Sequence, residues 1–193
     1  MLVKIIDQIT DDEMHKAAWE LYEGAFRDLR SLAVQRHLMY RSEFEEVMRD
    51  PRVDKYLCLN DDGKLCGLST FTNDLYAVPL IAPEYFERRW PEMYAEKRIW
   101  YVGFAAVGTE ARDTRAFSEL VTAMQQTAAA RNGMIGIDYC RYNDDERNFG
   151  RVVRLMLRRL SGGAMRAECL DQQSFWIYEF PPAAGAAGLQ AAA

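Results

Sequence analysis

The sequence predicts an α/β (α+β) domain in which strands and amphipathic helices share one core, and three observations carry that expectation. A capping box follows the first apolar segment and opens a helix-periodic stretch. An Asp-Asp-Gly turn joins two apolar, bounded strands. An apolar strand at residues 99–107 runs through a polar turn straight into a second helix-periodic stretch. The 193 residues suit one domain of ordinary size, and 49% hydrophobic against 27% charged residues suits a chain that buries a core rather than one that stays disordered.

Residues 2–9 read as a strand, and Thr10, Asp11, Asp12 and Glu13 form the capping box behind it. Met14, Ala18, Leu21, Tyr22, Ala25, Phe26 and Leu29 recur at helical spacing, so one face of this helix belongs to the core. Ser42 with Glu45 repeats the capping pattern for a second helix whose buried face is Phe44, Val47 and Met48 and which ends before Pro51. His37 and the arginines between these helices read as solvated or rim residues. Residues 55–60 and 64–72 are the hairpin strands, which bring Cys58 opposite Cys66; reduced core thiols are the expectation.

Residues 73–98 are the least regular. A helix begins at Pro83 and kinks or stops near Pro91, and Tyr76, Tyr85, Phe86, Trp90 and Tyr94 either line a pocket or anchor the excursion. The strand at 99–107 leads to a helix that ends at Asn132 and Gly133, followed by a strand at 134–139. Asn143, Asp144, Asp145 and Glu146 suit the start of a last helix with Phe149, Val152, Val153, Met156, Leu157 and Leu160 as its core stripe, closed by Gly162 and Gly163. Residues 164–170 and 174–180 are expected as two final strands, so a single domain spans 1–180 and a low-complexity tail spans 181–193.

A net charge of −5 offers no footprint for nucleic acid or an anionic membrane. Four cysteines without C-x-x-C spacing and two histidines give no metal site. The N-terminus lacks the features of a signal peptide and no apolar run reaches a membrane span, so a cytoplasmic protein is expected.

The order β-α-α-β-β-(insert)-β-α-β-α-β-β resembles the Gcn5-related N-acetyltransferase (GNAT) superfamily over nearly the whole chain. The resemblance implies a mixed, mostly antiparallel twisted sheet flanked by helices, with a bulged fourth strand splayed from the fifth around coenzyme A. It also implies a Q/R-x-x-G-x-G/A turn for the pyrophosphate. With 104–107 at the end of that strand, Arg112 takes the first motif position, but Arg115 and Phe117 stand where small residues belong. The implied cofactor, acetyl-CoA or another acyl-CoA, would then meet Ala105, Ala106 and Val107, the turn residues Arg112, Asp113, Thr114 and Arg115, and Asn143 or Asn148. Arginine side chains can grip phosphate where glycines do not cradle it.

Taking Asn148 as the family's asparagine puts Leu155 where a proton-donating tyrosine would stand, and Tyr101 where some members carry a glutamate base. Tyr101, Tyr139 and Cys140 are therefore the candidate catalytic residues. Alternation sends Tyr101, Gly103, Ala105 and Val107 to one face of the strand and Val102, Phe104 and Ala106 to the other.

The implied reaction is transfer of an acyl group from acyl-CoA to an amine of a small molecule or protein, and the reading allows a homodimer. A catalytically inactive GNAT-fold binding protein is the alternative. A third reading, an acyl-homoserine-lactone synthase, matches in the placement of the 83–90 insert. The chain has Tyr101-Val102-Gly103-Phe104 where that branch carries E-x-S-R.

Overall fold

A computed structural model describes residues 1–108 and 115–180. Five strands form one sheet in the order β1-β2-β3-β4-β5: β1 (Leu2–Ile6), β2 (Asp54–Leu59), β3 (Leu65–Thr72), β4 (Ile99–Val107) and β5 (Met134–Ile137). The first three pairings are antiparallel and β4 with β5 is parallel, which requires the crossover helix between them.

One face of the sheet carries α1 (Asp12–Phe26) and α3 (Arg41–Arg49), separated by the single turn α2 (Leu29–Leu32). The Asp11 carboxylate caps α1 by accepting from the Met14 N–H at 2.7 Å. For α3 the capping pair is two residues earlier than the sequence suggests: Glu43 accepts from the Tyr40 N–H at 2.7 Å while holding Arg36. Tyr22 and Phe44 lie at the centre of an aromatic cluster that closes on Phe104 of β4, with ring centroids 4.7 and 6.3 Å from it. Each such side chain contributes about 1.5–3 kcal/mol by leaving water.

The opposite face is covered by α6 (Ala116–Ala129), which packs Leu120, Val121 and Met124 against Tyr56, Cys58, Phe71, Trp100 and Val102. Gly133 N–H returns to the Ala128 carbonyl at 2.9 Å and Asn132 takes a positive φ of 50°, the stop that Asn-Gly encodes. Beyond α6 lies α8 (Phe149–Leu160), preceded by the short α7 (Arg141–Asp145). Of its expected core stripe, Val153 is buried while Val152 and Leu160 are exposed, because α8 packs on α6 rather than on the sheet.

The insert forms α4 (Pro83–Arg89) and α5 (Pro91–Ala95), each begun by its proline. Four of the five aromatics named there are anchors: Tyr85, Phe86, Trp90 and Tyr94 pack with Leu75, Ile99 and Tyr101 into a third cluster, whereas Tyr76 is 64% exposed.

Lys55 sits on β2 with no exposed surface, and its ammonium donates to the carbonyls of Asp7, Asp50 and Val53 at 2.6–2.7 Å. One cation thereby ties the end of β1, the end of α3 and the start of β2, and burial pushes it down to about 8.

Three expectations are corrected. Residues 164–170 and 174–180 are not strands; they run irregularly from the Gly163 stop with most of their apolar side chains exposed, so their strand propensity finds no partner among the described residues. Cys58 stands opposite Gly67 rather than Cys66, because the register shifts between Cys58 and Leu59; both residues are buried, and the Cys66 thiol donates to the Cys58 carbonyl at 3.2 Å. The strict alternation along β4 also fails. The register passes from Thr70↔Phe104 to Phe71↔Val102, leaving Gly103 as an extra, bulged residue. Phe104 and Ala106 therefore join Tyr101 on the α1 and insert side, while Val102 and Val107 face α6. Among the described residues no helix is long and apolar enough to cross a membrane.

Candidate functional site

Parallel pairing between β4 and β5 covers Ile99↔Met134 to Val102↔Ile137 and then stops, whereas β4 continues to Val107. From Gly103 onward the two strands diverge, and residues 103–107 have a strand opposite them only on the β3 side. The cause is local. At Gly103 a Cβ would lie 2.6 Å from Thr70 Oγ1, so only glycine fits the bulge that bends the strand.

Two polar side chains meet at the mouth of this gap, and a third, His37, feels the charge of one of them. The ring of Tyr101 packs so closely over Gly136 that a Cβ there would fall 2.8 Å from it, and its hydroxyl reaches two residues further to donate to Asp138 Oδ1 at 2.9 Å. Burial, reinforced by the Asp138 charge, raises the Tyr101 phenol well above its usual value, so it stays a donor. His37 lies in the loop between α2 and α3. Burial lowers its imidazole while the negative charge of Asp138 pulls it back up, and its Nε2 is buried with no protein partner among the described residues. Its backbone is pinned: Tyr22 Oη donates to the His37 carbonyl at 3.2 Å and accepts from Met39 N–H at 2.9 Å.

The sequence-derived candidates divide accordingly. Tyr101 is at the gap. Tyr139 stacks edge-on against Phe149 of α8, with centroids 5.3 Å apart, and so belongs to the α6–α8 side rather than to the Tyr101 side. Cys140 is half-buried at the start of α7 with a free thiol. Ala106 is fully buried in the core with Phe104, leaving its backbone alone to act, while Ala105 and Val107 are half-buried at the open edge. Arg115 pairs with Glu119 at 3.1 Å in an exposed i,i+4 contact at the start of α6. Arg112, Asp113 and Thr114 lie outside the described residues. Asn143 lies in α7 with a buried, unpartnered Oδ1, and Asn148 takes a left-handed φ of 53° to begin α8. Leu155 is 58% exposed, so no proton donor stands there.

His37 and Asp138 are the functional candidates that the sequence did not single out. Each is an isolated polar residue in its own segment, and only the fold brings them to one mouth. Among the described residues no three metal-ligating side chains come together.

No protein-family model matches the sequence, and no curated protein matches it. Solved structures do match by shape. A mutant of the BH1408 protein from Bacillus halodurans superposes with a TM-score of 0.55 at 13% identity, covering 93% of this chain and 100% of that one. An aminoglycoside acetyltransferase, meta-AAC0020 from an uncultured soil metagenomic sample, solved with sisomicin, superposes with a TM-score of 0.52 at 14% identity over 93% and 96%. A probable acetyltransferase gives 0.50 at 15% over 94% and 97%. At 13 to 15% identity these likenesses are of fold alone, and the chain has a GNAT-like fold in a divergent form.

Proposed function

We propose that this protein transfers an acyl group from acyl-CoA to an amine, with the gap between β4 and β5 as its active site. The observation that carries the reading is the open edge of residues 103–107 beside the Tyr101–Asp138 hydrogen bond. An extended thioester arm carrying amides suits such an edge, whose backbone N–H and C=O groups have no strand opposite them. Ala105, Ala106 and Val107 would hold that arm through their backbone. Arg112, Arg115 and the α6 N-terminus would meet its phosphates.

The chain's own groups supply proton transfer and positioning. The attacking amine must be neutral, and His37, held unprotonated by burial at neutral pH, takes its proton. Asp138 receives the positive charge that develops on the imidazole, and Tyr101 fixes the carboxylate that does so. The amine nitrogen bonds to the carbonyl carbon and the carbon–sulfur bond breaks. The sulfur leaves as a thiolate and takes a proton from solvent, to which His37 returns the proton of the amine. A small-molecule amine fits the proposal, and a protein amine is kept as a second acceptor class.

The exposed Leu155 and the engaged Arg115 favour a second reading, a GNAT-fold protein that binds acyl-CoA or a related ligand without turnover. Thermal shift with acetyl-CoA, followed by thiol release in a panel of amines, separates them. Stabilisation with turnover supports transfer, stabilisation without turnover supports the binding reading, and no stabilisation at millimolar ligand removes both.

A further inference from the structure

The net charge of −5 conceals a segment of the opposite sign. Between residues 147 and 166 lie Arg147, Arg151, Arg154, Arg158, Arg159 and Arg166 with no acid among them, and removing those six positive charges leaves −11 on the remainder. Elsewhere arginines are matched: Arg36, Arg41, Arg52 and Arg141 each hold a carboxylate at 2.5 to 2.8 Å. Among the described residues Arg151, Arg154, Arg158, Arg159 and Arg166 are exposed and hold none.

Helix chemistry accounts for only part of this arrangement. Arg158 and Arg159 stand in the last turn of α8, where the helix dipole favours positive charge. Arg151 stands in the first turn, where it does not. Arg151, Arg154 and Arg158 also follow one another at i, i+3 and i+7 on one stripe, where like charges repel. The stripe has a floor and a second wall: the three arginines line a cleft of about 320 Å³ together with Leu155, Met165 and Ala167. Leu155 is 58% exposed, so the guanidinium groups rim an apolar spot. None of these residues belongs to the proposed acyl-transfer site.

We propose that this cleft docks an acidic, amphipathic helix of a partner protein. From Arg151 to Arg158 the rise is about 10 Å, two turns of α8, and a helix laid alongside repeats at the same pitch. Carboxylates three and four residues apart on it then meet the three arginines in register, in charge-assisted contacts. One apolar side chain between those carboxylates covers Leu155. The apolar floor decides against other polyanions. A phosphate backbone pairs with the rim but leaves Leu155 uncovered, and base stacking needs aromatic side chains, of which the lining has none among the described residues. An anionic bilayer is a broad surface, which the −11 on the rest of the chain opposes. The same surplus orients a compact acidic partner, repelled by the rest of the chain and drawn to this stripe.

The test measures binding of labelled probes to the full chain. One probe is a lactam-bridged helix of ~16 residues with glutamates at the arginine spacing and a leucine between them. A second has the same composition with its glutamates spread round the helix. A single-stranded oligonucleotide and vesicles of phosphatidylserine and phosphatidylcholine represent the other occupants. The first helix is expected to bind at least about tenfold more tightly than the second, and more weakly as salt rises. Arg151→Glu with Arg154→Glu weakens it at least about tenfold and, by relieving repulsion, leaves the thermal melt unlowered. Leu155→Ser weakens it about threefold or more with the salt dependence kept, which a purely ionic contact does not predict. Absence of binding, equal binding of the two helices, or an affinity untouched by either variant overturns the proposal. Tighter binding of the oligonucleotide or the vesicles than of the first helix overturns it equally.

Discussion

Tyr101 on β4 donates a 2.9 Å hydrogen bond to Asp138, the first residue beyond β5, at the point where the two strands part. The bond ties the two lips of the gap together on the side that His37 approaches. Removing the donor in Tyr101→Phe keeps the ring over Gly136 and loosens the carboxylate. Folding stability is expected to fall by about 1 kcal/mol, read by urea denaturation. Acyl-transfer kcat/KM is expected to fall by roughly ten- to a hundredfold. An unchanged rate would take Tyr101 out of the positioning role.

His37→Gln removes the proposed base at a half-buried loop position. The expected loss of turnover is about 10²- to 10⁴-fold with acyl-CoA binding unchanged, read as kcat against a thermal shift. Equal losses of binding and turnover would indicate that the loop has collapsed rather than that a base is missing.

Acidification should destabilise the fold in a definite window. His15 and His37 are both lowered below their ordinary value near 6.5, chiefly by burial, so the native state binds fewer protons than the unfolded chain. Their contribution is fully present above pH 6.5, falls as pH drops below it, and flattens once the folded-state values are passed. Melting temperature measured from pH 7 to pH 5 should therefore decline, and the double variant His15→Phe, His37→Gln should decline less over the same interval.

Lys55→Met strips three backbone carbonyls of their common donor while leaving a side chain of similar length. Each orphaned buried acceptor costs about 1–3 kcal/mol, partly relieved by the removal of a buried charge. A net loss of roughly 2–4 kcal/mol in urea is expected. A loss below about 1 kcal/mol would mean that the three segments are held by packing alone.

Gly103→Ala places a methyl against Thr70 Oγ1, closes the bulge or displaces β3, and should cost both stability and ligand binding. Removing the obstacle in Gly103→Ala, Thr70→Ala should restore much of both, which a merely flexible glycine would not predict.

The legibility of the chain follows from how local each signal was. β4 was readable residue for residue because nine apolar positions lie between charged and polar boundaries. The stops at Asn132 and Gly133 and the proline-led insert helices rest on backbone chemistry within a few residues. The bulge at Gly103 was not visible, since it depends on the register against Thr70 and Phe71, and it moved Phe104 and Ala106 to the other face of the strand. Residues 174–180 carry strand propensity that the chain's own sheet does not satisfy, a case of tertiary context deciding over local preference. His37 and Asp138 had no periodic or spacing signal, and their meeting follows from topology alone. Asp138 became recognisable once residues 134–137 were known to be the strand from which β4 diverges.

The central claim is that acyl-CoA lies in the gap between β4 and β5. Titrating acetyl-CoA into isotope-labelled protein and following backbone amide resonances tests it most directly. Saturable shifts concentrated at residues 103–107 and 138–140, diminished in Gly103→Ala, are the predicted result. Saturable shifts elsewhere with those residues unmoved, or no shifts at millimolar acetyl-CoA, would contradict it.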